Sequence, residues 1–519
     1  MSEQGQLRSG AIGLGGALAG TLSNMAPVEG IFIVVVLVAA SMGTFTPWAF
    51  LVAVLGILLT GWNVAQLAKR IPSAGSYVAF AYHGAGAIHP GAARAAAAFT
   101  FYLALLSGPI TVAAVVVFLG SWVQTALGLA NVWWLVIALL AIAATLPVVL
   151  RGAVASVRTA LVLFVVEAGG LAVVSVVILA RSGPDIAAPL HAAGGAPGGW
   201  GGLVGITFAT AVSGFVGWEN SAAMADEIRE PRRVVPVAIL GSIGVVGVLY
   251  LLATWAATSG YVHWLGEAQG TARLGDLSNA APYVELAQHY APRLVWAVLL
   301  IGLISPAACY LAAMTACSRW TYASARAGLL PAALARVSRR TQVPAPAAWL
   351  WSVIVTALVV VPYFLLDGNA VTIAAYEAGI GTVPLLLIYL LSSAVAPCYV
   401  YRRDRASFSP VKHVVPAVAA LAVVGYGTYQ FVQPDQPPPA NQFWIFVVAM
   451  LVAAVAAAVV VRVKGPALDL LGRGTHEPAP SEVGTSPGAA EIVAAEIVAA
   501  EIIAAEIIAD GAGAAEVRP

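Results

Sequence analysis

Charge is what this sequence has least of. Only 9% of its 519 residues are Asp, Glu, Lys or Arg, against roughly 25% in an ordinary soluble domain. A water-facing surface for a chain of this size could not be solvated on that supply. Cysteine is also scarce: Cys309, Cys317 and Cys398 all sit in apolar runs. They read as small buried residues, which excludes a disulfide framework. The seven histidines are scattered without an H-x-x-H spacing, so no metal centre or other cofactor site is expected. Net charge is +1 and no basic patch suited to nucleic acid stands out. The weak ten-residue alternation of a membrane β-barrel is missing too.

Apolar residues fill the space that charge leaves. The chain is 60% hydrophobic, its mean hydropathy is +0.89, and runs of about 20 apolar residues, the bilayer-crossing length, recur along most of it. The expectation is an all-α polytopic membrane protein in the lipid bilayer of the cell membrane. Twelve spans are expected, at roughly 11–38, 46–68, 96–124, 131–150, 158–180, 201–224, 234–258, 293–321, 346–366, 371–396, 413–432 and 442–463. The first is expected to be retained, since its apolar stretch is too long for a signal peptide.

Loop charges give the orientation. With residues 1–10 in the cytoplasm, only Arg181, Arg273 and Arg293 of the 25 Lys and Arg fall outside. Cytoplasmic loops carry the excess of these residues, so both termini are expected inside. The charge burst from Asp226 to Arg233 then reads as a short cytoplasmic loop whose arginines anchor the sixth and seventh spans.

Two spans are interrupted. "LSNMAPVEGIF" puts Pro27 and Gly30 in the middle of the first, and Gly214 and Gly217 bracket Phe215 and Val216 in the sixth. Freed backbone groups are tolerated at bilayer depth where they line a protein cavity. Interrupted spans in corresponding positions of two halves point to a secondary transporter built from inverted repeats, here about 11–180 and 201–396, followed by spans at about 413–463. An ordinary kink or close glycine packing is the alternative. Four acids also lie inside spans: Glu29, Glu167, Glu219 and Glu377. Such residues are costly in lipid and mark ion or substrate paths; otherwise they tie helices together. All four are candidates for proton coupling.

At these residues the chain resembles the amino acid–polyamine–organocation (APC) superfamily. "GFVGWENSAAMADEIREPRRVVPVAI" is similar to its sixth-span signature: G-x-E at Gly217 to Glu219, E-x-x-x-P-x-R through Glu227, Pro231 and Arg233, and P-x-A-I at Pro236 to Ile239. "RIPSAGSYVAF" and "GIF" at Gly30 to Phe32 resemble two further motifs. The likeness covers roughly residues 10 to 465. It implies a LeuT-type fold of five plus five helices with spans one and six broken. Substrate is then held between spans one, three, six, eight and ten. The substrate contacts implied are Ser23, Asn24, Met25, Ala26, Val28, Glu29 and Gly30 from the first span and Ser213, Gly214, Phe215, Gly217 and Trp218 from the sixth. Ser107, Ser305 and Tyr376 are added from spans three, eight and ten. Glu219 matches the glutamate that the resemblance links to proton coupling.

The chain departs from that pattern where many members have a small G-S-G turn: it has Val28–Glu29–Gly30. At an effective dielectric near 20, two like charges about 4 Å apart repel by about 4 kcal/mol. Either Glu29 carries a proton when a carboxylate substrate is bound, or the substrate is an amine without a carboxylate. Ser213 also stands where several members place an aromatic gate. The expected function is a permease for an amino acid or small organic amine, proton-coupled or exchanging, with a small-molecule partner and no nucleic acid. An exporter of such a metabolite remains open. A membrane enzyme would want a nucleophile–base pair or a metal cluster, and neither a G-x-S-x-G nor a histidine well inside a span is present.

Residues 466–519 turn polar and then repeat in steps of five, with Glu491, Glu496, Glu501 and Glu506. Each acid costs about 2.5–3.5 kcal/mol at a span centre, so a cytoplasmic low-complexity tail is expected, not a further span. Truncation after Arg473 is expected to leave uptake per inserted molecule within a factor of about two, a difference of about 0.4 kcal/mol in barrier. Uptake normalised to surface expression measures it.

Overall fold

The computed structural model describes Leu7 and residues 9–190, 199–276, 281–434 and 441–473; the five-residue repeat lies outside the described residues. The described chain is helical, with one isolated bridge between Ile12 and Ile228. In order, the first helices are α1 (Leu14–Asn24), α2 (Pro27–Met42), α3 (Thr46–Arg70), α4 (Ser76–Ile88), α5 (Ala92–Ala126), α6 (Trp133–Leu150) and α7 (Ala153–Arg181). Three short ones follow: α8 (Gly199–Val204), α9 (Ile206–Ser213) and α10 (Asn220–Ala223). Then come α11 (Pro231–Leu265), α12 (Glu267–Leu274), α13 (Pro282–Tyr290) and α14 (Val295–Arg326). The last are α15 (Ala345–Leu365), α16 (Ala370–Arg403), α17 (Pro410–Phe431) and α18 (Phe443–Arg473).

Among the described residues, 10 helical stretches are long and apolar enough to cross a membrane. The first, Leu14–Arg70, has 57 residues. At 1.5 Å per residue a straight helix of that length would run about 85 Å, far beyond a bilayer core of about 30 Å. It is broken instead, before Pro27 and again at Gly43–Phe45, and α3 packs back on α2. Three small helices, α4, α12 and α13, were not expected from hydropathy.

Proline chooses where helices begin. Pro27, Pro231, Pro282 and Pro410 each open a helix, where the missing N–H is not needed. The sequence places Pro27 inside a span; in the structure it sits in the first turn of α2, and the break falls one residue earlier. Ala26 there is left-handed, at φ 44°. A side chain in that region is strained, so the surrounding packing must hold it.

Small residues set how closely the helices approach. α3 packs along α11, α5 along α16 and α7 along α14. Gly247 in α11 lies so close to Val54 in α3 that a methyl there would meet the valine side chain at 2.9 Å. Without a hydrophobic force between helices in lipid, such close backbone packing supplies the association energy.

The segment Asp226–Arg233 corrects the simple loop expected. Asp226 and Glu227 are buried, at 9% and 2% exposure. Glu227 pairs with Arg319 at 2.8 Å, and Arg319 is fully buried within α14, not a loop cation. The Asp226 carboxylate accepts the backbone N–H of Ala74. The Ile12 N–H donates to Glu227 O at 2.9 Å and the Arg229 N–H to Ile12 O at 2.8 Å. One acidic turn therefore ties together the start of the chain, the α3–α4 link and α14. Breaking a buried pair by removing one partner leaves an uncompensated charge and costs about 3–5 kcal/mol. Glu227→Ala is expected to lower thermal stability in detergent sharply, while the double variant Glu227→Leu/Arg319→Met recovers part of the loss. Melting curves of the three proteins compare them.

Candidate functional site

Both expected interruptions are present, and they touch. α1 ends at Asn24, where the Met25 and Ala26 N–H groups bond back to Leu22 O and Ser23 O. α9 ends at Ser213, and residues 214–219 form turns before α10. Gly217 is the pivot, at φ +105°. A methyl group on it would lie 2.6 Å from the Asn24 carbonyl oxygen, so the residue needs both the glycine conformation and the glycine volume. The Asn24 side-chain amide donates to Gly217 O at 3.3 Å, and Asn220 donates to Gly20 O at 2.9 Å. Two side-chain amides thus supply the donors that the interrupted helices lack.

Around this junction the first-span residues separate by role. Met25, Ala26, Val28 and Gly30 are buried backbone of the break. Ser23 faces away and donates to Ala160 O in α7 at 2.8 Å. Glu29 lies in the first turn of α2, its backbone N–H bonded to Ser305 Oγ in α14 at 3.3 Å. The Ser305 hydroxyl also stands beside Glu167 of α7. Glu167 is fully buried. Its two oxygens, Glu29 Oε2 and Asn24 Oδ1 are buried without a hydrogen-bond partner of normal geometry. Ser305 thus accepts the backbone N–H of Glu29 and lies near the Glu167 carboxyl, a relation no spacing rule contained.

The sixth-span residues surround the same place. Gly214 O accepts a hydrogen bond from Tyr250 of α11, whose hydroxyl also crowds Gly30. Phe215 stacks edge-on against Tyr250, centroids 4.7 Å apart. Ser213 turns back to Thr210 O at 2.6 Å. Trp218 is fully buried, 5.0 Å from the ring of Tyr389 in α16. The Tyr389 hydroxyl donates to Glu219 Oε2 at 3.0 Å, so the sixth-span acid is held by an aromatic hydroxyl and not by a cation.

Three residues lie elsewhere. Ser107 donates to Gly381 O at 2.7 Å, between α5 and α16. Glu377, one turn before Gly381, is buried with neither oxygen bonded. The Tyr376 hydroxyl accepts from Gln442 at 3.3 Å, at the start of the α18 side. Sequence reasoning missed Tyr250, Tyr389, Asn220 and Cys309. The Cys309 thiol donates to Asn24 O at 3.1 Å. Tyrosines inside apolar helices were the available signal, since a buried tyrosine hydroxyl needs a partner.

A family profile described as amino acid permease matches residues 12–455. The chain belongs to the amino acid permease family. It is therefore a multi-pass membrane protein of the APC superfamily. The permease is 26% identical over 236 residues to the branched-chain amino acid permease BcaP of Lactococcus lactis subsp. cremoris (strain MG1363). That alignment covers 44% of this chain and 47% of the relative, about half the length of each. In fold, the permease is similar to the Eremococcus coleocola manganese transporter, solved in complex with an aromatic bis-isothiourea substituted compound. The TM-score is 0.51 at 11% identity, over 91% of this chain and 99% of that one.

Gly217→Ala forces a methyl group against the Asn24 carbonyl and a strained φ at once. It is expected to cut uptake by tenfold or more, equivalent to about 1.4 kcal/mol, while Gly244→Ala, which has open space, stays within about twofold. Initial uptake rates in proteoliposomes measure both.

Proposed function

We propose that this permease moves an amino acid by alternating access, with the two touching helix breaks as the substrate site and a proton as the coupling ion. The observation that carries this reading is the junction itself: Asn24 against Gly217, with the unpartnered atoms Asn24 Oδ1 and Glu29 Oε2 beside it. A helix start offers N–H groups to a carboxylate and a helix end offers C=O groups to an ammonium. A zwitterion fits between them without a cluster of charged side chains. The branched-chain amino acid permease among its relatives supports a cargo with an apolar side chain.

Twelve crossings follow if Leu14–Arg70 is counted as two and α8–α10 as one. The packing supports two inverted repeats of five. If span one corresponds to six and two to seven, the contact of span three with span ten mirrors that of span eight with span five. These are α5 with α16 and α14 with α7, and the second and seventh spans, α3 and α11, pair with each other. With this count both termini lie on the side where arginine and lysine collect, the cytoplasmic side.

Coupling is assigned to Glu219 and to the Glu29–Ser305–Glu167 group. A carboxylate is costly to bury unpaired, and taking up a proton removes that cost. Loading with a carboxylate substrate beside Glu29 then favours simultaneous proton uptake. The second reading, an amine cargo without a carboxylate, is favoured by Glu29 alone. Exchange and net export use the same site and differ only in the gradient that drives them.

Glu219→Gln is expected to abolish pH-driven uptake with the protein still inserted and folded. Wild-type rates with unchanged pH response would remove Glu219 from coupling. For Glu29→Gln, an amino acid cargo predicts retained binding with a flatter pH response; an amine cargo predicts at least a tenfold loss of affinity. A panel of amino acids and amines tested on both proteins decides between them.

A further inference from the structure

A polar cavity lies away from the helix breaks, where α3 and α16 end and α11 begins. Its volume is about 380 Å³, and its walls are Lys69, Arg70, Arg232, Tyr399, Arg403, Asp404 and Ser407. Four of these are cations and one is an acid. That acid is already used. Asp404 accepts from Arg70 at 2.8 Å and 2.9 Å, and Arg70 also reaches Gln66 Oε1 at 2.9 Å. Hydrogen bonds from Ser407 and Arg70 hold the Asp404 carboxyl below its ordinary range, so it stays ionised and committed. Among the described residues, Lys69, Arg232 and Arg403 make no ion pair.

Helix dipoles account for part of this, but not all. Lys69 and Arg70 stand in the last turn of α3, and Arg403 in the last turn of α16. Cations are favoured at such ends. Arg232 is the exception. It lies at the second residue of α11, directly after Pro231, where the dipole is unfavourable for a cation. It also shares the surroundings of the Tyr399 hydroxyl with Arg70 and Arg403. A guanidinium set against its own helix dipole and near two others is unfavourable; Arg232, Arg403 and Lys69 are exposed, so water screens that cost without removing it. A doubly acceptor-rich anion offsets it, and arginine forks match phosphate oxygens in pairs.

We propose that this cavity is a binding site for the phosphate of an anionic phospholipid headgroup. The placement favours a lipid over free phosphate. α3 and α16 are both helices of membrane-crossing length and apolarity, so their ends lie at headgroup depth. Basic pockets between transmembrane helices bind such headgroups. A lipid bound there would brace α3, α11 and α16 against one another, the helices that flank the two breaks.

The test uses the full-length permease purified in detergent. Lipid affinity is read from the rise in melting temperature and from bound lipid in native mass spectra. The probes are phosphatidylglycerol, phosphatidylcholine and inorganic phosphate at equal phosphate concentration. Phosphatidylglycerol is expected to bind at least tenfold more tightly than phosphatidylcholine. Arg232→Gln/Arg403→Gln is expected to lose that tenfold preference, and Arg336→Gln, a cation outside the cavity, to keep it. If the double variant does not fold, Lys69→Gln and Arg232→Gln are measured singly, each with at least a threefold loss expected. Equal binding of the two lipids, an undiminished preference in the cavity variants, or an equal loss in Arg336→Gln would overturn the site. Protection by inorganic phosphate equal to that by phosphatidylglycerol would overturn the lipid assignment.

Discussion

A backbone polar group in lipid must find its partner inside the protein, and this structure is arranged around the two places where a helix declines to provide one. Breaking α1 from α2 and α9 from α10 frees carbonyls and N–H groups at bilayer depth, each costing several kcal/mol if left alone. The two breaks are placed against each other so that Asn24 and Asn220 serve both. That requirement reaches outward. Gly217 must be glycine for the chains to meet. Ala26 must accept a left-handed turn. Tyr250 must bring a hydroxyl from α11 to Gly214 O.

The acids divide by the kind of partner each has. Glu227 is paired with Arg319 and carries structure. Glu219 is held by a neutral hydroxyl, and Glu29 and Glu167 flank a serine. In a low-dielectric interior a buried acid needs a cation or hydrogen-bond donors to offset its desolvation. The chain thus keeps a buried charge pair between α14 and the Asp226–Arg233 segment, and carboxyls without a cation near the breaks. The basic cavity at the ends of α3 and α16 differs again: among the described residues, three of its four cations make no ion pair.

Much of the fold was legible in the sequence because lipid imposes a coarse rule. Apolar runs of bilayer length cannot be anything else at this charge density. The two interruptions could be read because proline and glycine act locally, on their own backbone and the turn before. The family could be read because its sixth-span signature lies in one continuous stretch, Gly214 to Ile239. The errors were also of one kind. Pro27 was placed inside a helix when it starts one. Arg319, among the cations placed on the cytoplasmic side, lies buried within α14. Glu227, in the stretch that reads as a short cytoplasmic loop, is buried.

Sequence by itself determined the solvent of this protein, the approximate ends of its helices, where two of them break, and which acids lie within them. Each of these is set by residues adjacent in the chain. Tertiary structure alone decided which acid meets which group. The Glu29 backbone N–H reaches Ser305 across 276 positions, Tyr389 reaches Glu219 across 170, and Arg319 reaches Glu227 across 92. Helix rotation about its own axis sets those meetings, and in spans that are apolar on nearly every face, periodicity says little about rotation. Small residues at the contacts do, because the close approach of Gly217 to Asn24 and of Gly247 to Val54 leaves each helix few orientations in which it can pack.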